Sequence, residues 1–359
     1  MVMSSAASGR TAEEILGVAR SMLDPVLRAG VSRLPDPLRG FAEFHYGWAG
    51  LGGAAPEGSL SRLRMPALVL LCSGVNGNAW DRAAEAAAAW SLMSNHTLIH
   101  DDIMDRDSHR RGRPTLWKAL GPAAALQTGN ALLALAFELL SEQSGRKIQA
   151  AIARMGRTVQ VMCAGQVLDM NFEGRTDVSL EESLAVVEAK TCRVMSYACE
   201  LGGLCADATG SQVEALSAYG HHLGVASQLQ DDLEDLWPVT AWVDGVHGTD
   251  IRRRKQTPML LAALRTSGSD RDRLAGLYGS DAPLSDAQIR QSVALIEACG
   301  GRSWAVQTID KHMDLAAQSL VRAQPTPQAH HDLKIFASVF GCSVADEDRG
   351  SSGAVPASH

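Results

Sequence analysis

The chain has 359 residues, 46% of them hydrophobic, which is enough to build a sizeable buried core. A net charge of -7 and a pI near 5.9, with arginines clustered locally rather than spread along a face, argue against a nucleic-acid partner. Seven cysteines without a CxxC pair read as reduced thiols of a cytoplasmic protein, the start "MVMSSAASGR" lacks a signal-peptide core, and no uninterrupted apolar run reaches the ~18 residues of a membrane span.

Alanine and leucine dominate, β-branched runs are short and the apolar spacing is helical, so an all-α fold is predicted. Residues 1–19 are expected to be disordered or loosely attached. "PALVLLCSG" (66–74) predicts a core helix segment. Long helical patterns follow at 81–105, 121–143, 145–173, 179–206, 211–236 and 255–267, with Ser179 and Glu182 placed as a capping box. The stretch 285–323 reads as two helices broken near Gly300 and Gly301. No strand hairpin is expected, and the small, polar tail 344–359 is expected to be disordered.

Chemistry concentrates in two acidic turns. In "DDIMD", Asp101 and Asp105 are four apart and share a helix face, with Asp102 one residue off; "DDLED" repeats the spacing with Asp231, Asp232 and Asp235. Crowded carboxylates repel one another unless a cation sits among them, and hard oxygen ligands suit Mg²⁺ shared with substrate phosphates. A solvated acidic helix end explains one such cluster but poorly explains two DDxxD copies, each ending an apolar helix. Arg110 and Arg111 follow the first turn in a glycine- and proline-bearing loop, and arginine holds phosphate by bidentate hydrogen bonds.

These stretches, with "AGQVLDMNFE" (164–173), "EAKTCRVMS" (188–196), "SQLQDDLED" (227–235) and "GTDIRRRKQT" (248–257), resemble the trans-isoprenyl diphosphate synthase (polyprenyl synthetase) family from about residue 20 to 340. The resemblance implies a single-domain class I isoprenoid-synthase helical bundle over 20–343, around a central cavity, and a homodimer. It implies three Mg²⁺ ions gripping an allylic prenyl diphosphate, with metal roles for Asp101, Asp105 and Asp231 and support from Asp102, Asp232 and Asp235, the last also a candidate ligand. It further implies diphosphate contacts for Arg110, Lys190 and Lys255, and supporting roles for Thr191 and Gln228. His96 and Thr97 fall where the family sets the depth of the product pocket.

The chain departs from the family pattern where the second substrate, isopentenyl diphosphate, is held. The family's Gly-Lys-x-x-Arg-Pro motif aligns with "SRLRMP", placing Arg62 for the lysine and Met65 for the arginine, with Arg64 off register. Ser94 stands for the family's histidine, Ser227 for an aromatic residue, Cys192 for a glycine and Gly245 for a lysine, leaving Arg62 and Arg111 as acceptor-site cations. Two lost charge-assisted bonds, at roughly 1.5–3 kcal/mol each, weaken binding on the order of a hundredfold. The leading expectation is therefore a class I terpene synthase that ionises a C15–C20 allylic diphosphate and quenches the cation internally or with water. The alternative is a chain-elongating farnesyl or geranylgeranyl diphosphate synthase; a third is a non-catalytic subunit of a heteromeric synthase. Trp90, Trp117, Trp237 and Trp242 are candidate cation-stabilising faces, though tryptophans at this spacing more often belong to a core; His221 and His222 are read as a packed or solvated pair rather than a metal site.

Overall fold

A computed structural model of the chain describes residues 10–49, 63–77, 80–172, 175–238, 247–279 and 282–341. The described residues are overwhelmingly helical, as the spacing predicts. In chain order the helices are α1 (Ala12–Val31), α2 (Leu38–Tyr46), α3 (Arg64–Ser73), α4 (Trp80–Met104), α5 (Leu116–Leu120), α6 (Pro122–Ser141), α7 (Ile148–Phe172), α8 (Leu180–Val187) and α9 (Arg193–Cys205). They continue as α10 (Gly210–Leu236), α11 (Thr249–Arg252), α12 (Pro258–Leu264), α13 (Ser269–Tyr278), α14 (Asp286–Ala298), α15 (Gly301–Arg322) and α16 (Pro327–Ala337).

Three departures from the sequence expectation matter. First, α1 begins at Ala12, so 12–19 are not loose. Thr11 and Glu14 form a capping box, and Ile15, Leu16 and Ala19 are buried. Second, the arginine-rich segment is a minimal antiparallel hairpin, β1 (His109–Arg110) paired with β2 (Arg113–Pro114), where no strand is expected from the sequence. Its two turn residues, Arg111 (φ 54°) and Gly112 (φ 72°), both lie in the left-handed region, as the favoured two-residue hairpin turns require. Third, the helical run 179–206 is broken by a π-helical turn at Glu188–Cys192, and 255–267 is helical only from Pro258. The Ser179–Glu182 capping box forms as predicted. The expected disordered tail and residues 1–9 lie outside the described residues, as do Arg62, Trp242 and Gly245.

By internal contacts the chain forms two compact units. The first comprises Met1–Val159, Ser196–Ser217 and Ser319–Phe336; the second comprises Gln160–Met195, Ala218–Gln318 and Ala337–His359. In the first unit α3 is buried on every side from Pro66 to Ser73, which is why its sequence shows no polar face. α4 is buried all round its alanine run (Ala86 to Ala89), and it packs mainly on α6, with α3 and α1 also against it. By length and composition α6 is one helix apolar enough to cross a membrane, although no such segment is expected from the uninterrupted apolar runs. Here Leu132, Leu135, Ala136, Leu139 and Leu140 are buried, and the helix packs mainly on α4. The core of the second unit gathers Leu229 and Leu233 of α10 with Leu260 of α12, Ile289 and Ile296 of α14, and Ile309 of α15.

Candidate functional site

In the first unit, Asp101, Asp102 and Asp105 lie at the C-terminal end of α4. Asp101 and Asp105 are half-buried, whereas Asp102 is only 2% exposed. Arg110 Nε donates to Asp102 Oδ1 at 2.7 Å, so Arg110, expected as a diphosphate ligand, already has a carboxylate partner. Burial pushes the Asp102 carboxyl above its usual range; the charge and hydrogen bond of Arg110 oppose this, and Asp101 and Asp105 add repulsion. The hairpin is folded onto the helix end. Asp107 N–H donates to Asp102 O (2.9 Å), and Asp107 O accepts from Thr115 Oγ1 (2.6 Å) and Trp117 Nε1 (2.7 Å). Arg111 is exposed at the hairpin tip.

His96, just over a turn before the aspartates, is 6% exposed and meets the His100 ring edge-on at 4.3 Å. Burial, reinforced by His100, pushes its pKa down to about 4, so it is neutral near pH 7. Thr97 is half-buried and its hydroxyl donates to Ser94 O at 2.7 Å. Ser94 and Met65 are half-buried, and Arg64 is exposed on the first turn of α3.

In the second unit a cavity of about 120 Å³ collects Asp169, Lys190, Thr191, Gln228, Asp232, Asp250 and Lys255. Four expected substrate-binding residues (Lys190, Thr191, Gln228 and Lys255) are thus brought together with Asp232. Lys190 Nζ pairs with Asp169 Oδ2 at 2.6 Å; Thr191 Oγ1 donates to Gln228 Oε1 at 2.7 Å; Gln228 Nε2 donates to Asp232 Oδ1 at 2.9 Å. The π turn carries Lys190 and Thr191, and two glycines let its neighbours approach. A Cβ at Gly165 would sit 2.7 Å from Ala189 Cβ, and one at Gly224 would sit 2.6 Å from Cys192 Cα. Larger residues there would push α7 and α10 away from the turn that presents the lysine and threonine.

Asp232 is 5% exposed, and its Oδ2 has no hydrogen-bond partner. Burial, then the charge of Asp250, hold its carboxyl well above the usual range, against the Gln228 bond. Asp231 is exposed. Asp235, expected as a metal ligand, caps α11: its Oδ1 accepts from Thr249 N and Oγ1 at 3.2 Å, and its Oδ2 from Asp250 N at 3.4 Å. Asp169 and Asp250 carry no signal of their own in the sequence, although both lie inside the motifs "AGQVLDMNFE" and "GTDIRRRKQT". A larger cavity of about 310 Å³ beside the α8 capping box is lined by Arg265, Arg271 and Tyr278 and contains none of the expected site residues.

Among the described residues no three His, Cys, Asp or Glu side chains converge as a closed metal site. The donor chemistry nevertheless fits Mg²⁺, which keeps waters and shares substrate oxygens rather than requiring an all-protein cage. The buried, partnerless Asp232 oxygen and the mutually repelling carboxylates around Asp102 are positions where an added cation lowers the cost of burial. His221 and His222 instead pack with His312, whose Nδ1 lies 3.2 Å from that of His222. Trp90 is 2% exposed in the core, and Trp237 packs on the core under the Arg302 guanidinium at 5.3 Å, so both serve packing.

The polyprenyl synthetase family profile matches residues 57–296. The chain is 35% identical over 311 residues to the (2E,6E)-farnesyl diphosphate synthase of Mycobacterium tuberculosis, covering 86% of this chain and 87% of that protein. It is 32% identical over 314 residues to the geranylgeranyl diphosphate synthase of the same organism, covering 87% and 90%. Its fold is similar to the crystal structure of a polyprenyl synthetase from Streptomyces coelicolor A3(2), with a TM-score of 0.87, 31% identity, and coverage of 92% of this chain and 99% of that one. The chain belongs to the polyprenyl synthetase family and is an enzyme with that family's all-α isoprenoid-synthase fold.

Proposed function

We propose that the protein is a short-chain trans-prenyltransferase that condenses an allylic prenyl diphosphate with isopentenyl diphosphate to give a C15 or C20 diphosphate. The observation that carries this reading is the 35% identity, along 86% of the chain, to a farnesyl diphosphate synthase. The terpene-synthase expectation gives way to it, because that expectation rested on single departures, chiefly Met65 and Ser94, within a chain whose relatives are elongating enzymes. Those two uncharged residues still favour it as the second reading.

In the proposed reading Asp101, Asp105 and Asp231 are Mg²⁺ ligands, with Asp102, Asp232 and Asp235 behind them. Mg²⁺, when bound, supplies the charge that weakens the bond between the allylic carbon and its diphosphate. Lys190, anchored by Asp169, and Lys255 contribute cations to the diphosphate, and the Thr191–Gln228–Asp232 chain orients that wall. Arg110 holds Asp102 in place, and the acceptor diphosphate is assigned to Arg111, Arg62 and Arg64. Neutral, buried His96 and half-buried Thr97 limit how far the growing chain extends. A homodimer fits the exposed Val167 (57%), Leu168 (42%) and Met170 (44%) of α7, and light scattering checks it.

The test is product identification. Purified protein with Mg²⁺, geranyl diphosphate and isopentenyl diphosphate is expected to yield farnesyl or geranylgeranyl diphosphate. A hydrocarbon or alcohol as the main product contradicts the proposal and supports the second reading.

A further inference from the structure

The turn that carries Lys255 has a backbone conformation its residues disfavour. After α11 the Arg254 N–H donates to Ile251 O (2.9 Å) and the Lys255 N–H donates to Asp250 O (2.9 Å). This nested pair is the pattern of a Schellman motif, whose left-handed position ordinarily takes glycine. Arg254 occupies it at φ 54°. A side chain strains that conformation unless its surroundings over-determine it. They do so here through the side chain itself. Arg254 Nη1 donates to Leu277 O (2.7 Å) and Tyr278 O (2.8 Å), and Nη2 donates to Ala282 O (2.6 Å). The first two acceptors are the last carbonyls of α13, the helix end where a cation is favoured.

The motif also fixes two residues of the site. Its outer hydrogen bond joins Lys255 to Asp250, and both line the cavity with Lys190, Gln228 and Asp232, whereas Arg254 does not line it. We infer that Arg254 is a positioning residue: it fastens the strained turn to the end of α13 and thereby sets where the Lys255 ammonium stands. The inference rests on the proposed reading of Lys255 as a contact of the allylic diphosphate. It assigns a role in substrate binding to a side chain that never touches substrate, and it makes α13 part of the support of the site.

Arg254→Gly separates fastening from strain, because glycine accepts the left-handed backbone and removes all three side-chain bonds. Steady-state kinetics of the full chain with Mg²⁺ compare Arg254→Gly, Arg254→Lys and Lys255→Ala. With Arg254→Gly, KM for geranyl diphosphate should rise about tenfold, the scale of one weakened charge-assisted contact. kcat and KM for isopentenyl diphosphate should stay within about twofold, and Arg254→Lys should restore part of the loss. Lys255→Ala should raise the same KM, and adding Arg254→Gly to it should raise it no further. If Lys255→Ala raises that KM while Arg254→Gly leaves it unchanged, the positioning role is overturned and the reading of Lys255 stands. If Lys255→Ala has no effect on it, both are overturned. Should the glycine variant fail to fold, Arg254→Asn, tolerant of the left-handed region and too short to reach α13, is read by the same criteria.

Discussion

Arg110→Met is the sharpest probe of the first acidic turn. It removes the cationic partner of a carboxylate that is 2% exposed, from a guanidinium whose side chain is 31% exposed. A charge-assisted hydrogen bond contributes roughly 1.5–3 kcal/mol, and stranding a fully buried charge costs about 3–5. The partial exposure of Arg110 places the loss near the lower range, about 2–3 kcal/mol. With an unfolding entropy of roughly 2.1 cal/mol/K per residue, that corresponds to a fall of about 3–4 °C if all 359 residues melt together. The loss must depend on pH. Burial holds the folded-state pKa of Asp102 above its unfolded value, and Arg110 opposes that shift, so the variant raises it further. A carboxyl with a raised pKa destabilises the fold above its unfolded pKa, and the penalty is relieved as pH falls through the folded pKa. Calorimetry in EDTA should therefore show the full deficit at pH 7.5 and a smaller one at pH 5. Asp102→Asn should abolish most of the deficit in a double-mutant cycle. An equal deficit at both pH values, or one unchanged beside Asp102→Asn, refutes the assignment of Arg110 as the partner of a buried charge.

Lys190→Met should raise KM for the allylic diphosphate about ten- to a hundredfold with a small change in melting temperature, because the pair with Asp169 is partly exposed and contributes little to folding. His96→Ala should lengthen the product by about one isoprene unit, detected by mass spectrometry after dephosphorylation, since the change opens space at a buried position before Asp101. For His312, burial and then the charges of His222, His221 and Lys311 push the pKa down to about 4. Its contribution to stability is complete above the unfolded value near 6.5 and is lost as pH falls toward 4. Melting temperature should drop between pH 7 and pH 4.5, and His312→Asn should flatten that slope; an unchanged slope rules out the histidine cluster as its source.

The helices and the acidic turns are legible in the sequence because each declares itself locally. Apolar spacing marks α4, α6 and α10, and the repeated DDxxD marks the chemistry of α4 and α10. The hairpin is not legible: its turn is Arg111-Gly112 rather than the familiar Asn-Gly, and the paired segments are two residues each. The π turn is hidden because one wider turn barely disturbs a helical pattern, yet it carries Lys190 and Thr191. Partnerships are hidden for a different reason. Spacing shows which residues share a helix face but not which distant side chain each one meets. Thus the sequence points Arg110 toward phosphate although Asp102 holds it, and Asp235 toward a metal although it caps α11. Nothing in the sequence marks Asp169 as the anchor of Lys190.

The central proposal is that loss of the allylic diphosphate is coupled to an acceptor. Release of inorganic diphosphate, followed continuously with Mg²⁺ and geranyl diphosphate while isopentenyl diphosphate is withheld and then added, tests it directly. Background release is expected until isopentenyl diphosphate is added, then one diphosphate for each new carbon–carbon bond. Steady release at the full rate without isopentenyl diphosphate would contradict it.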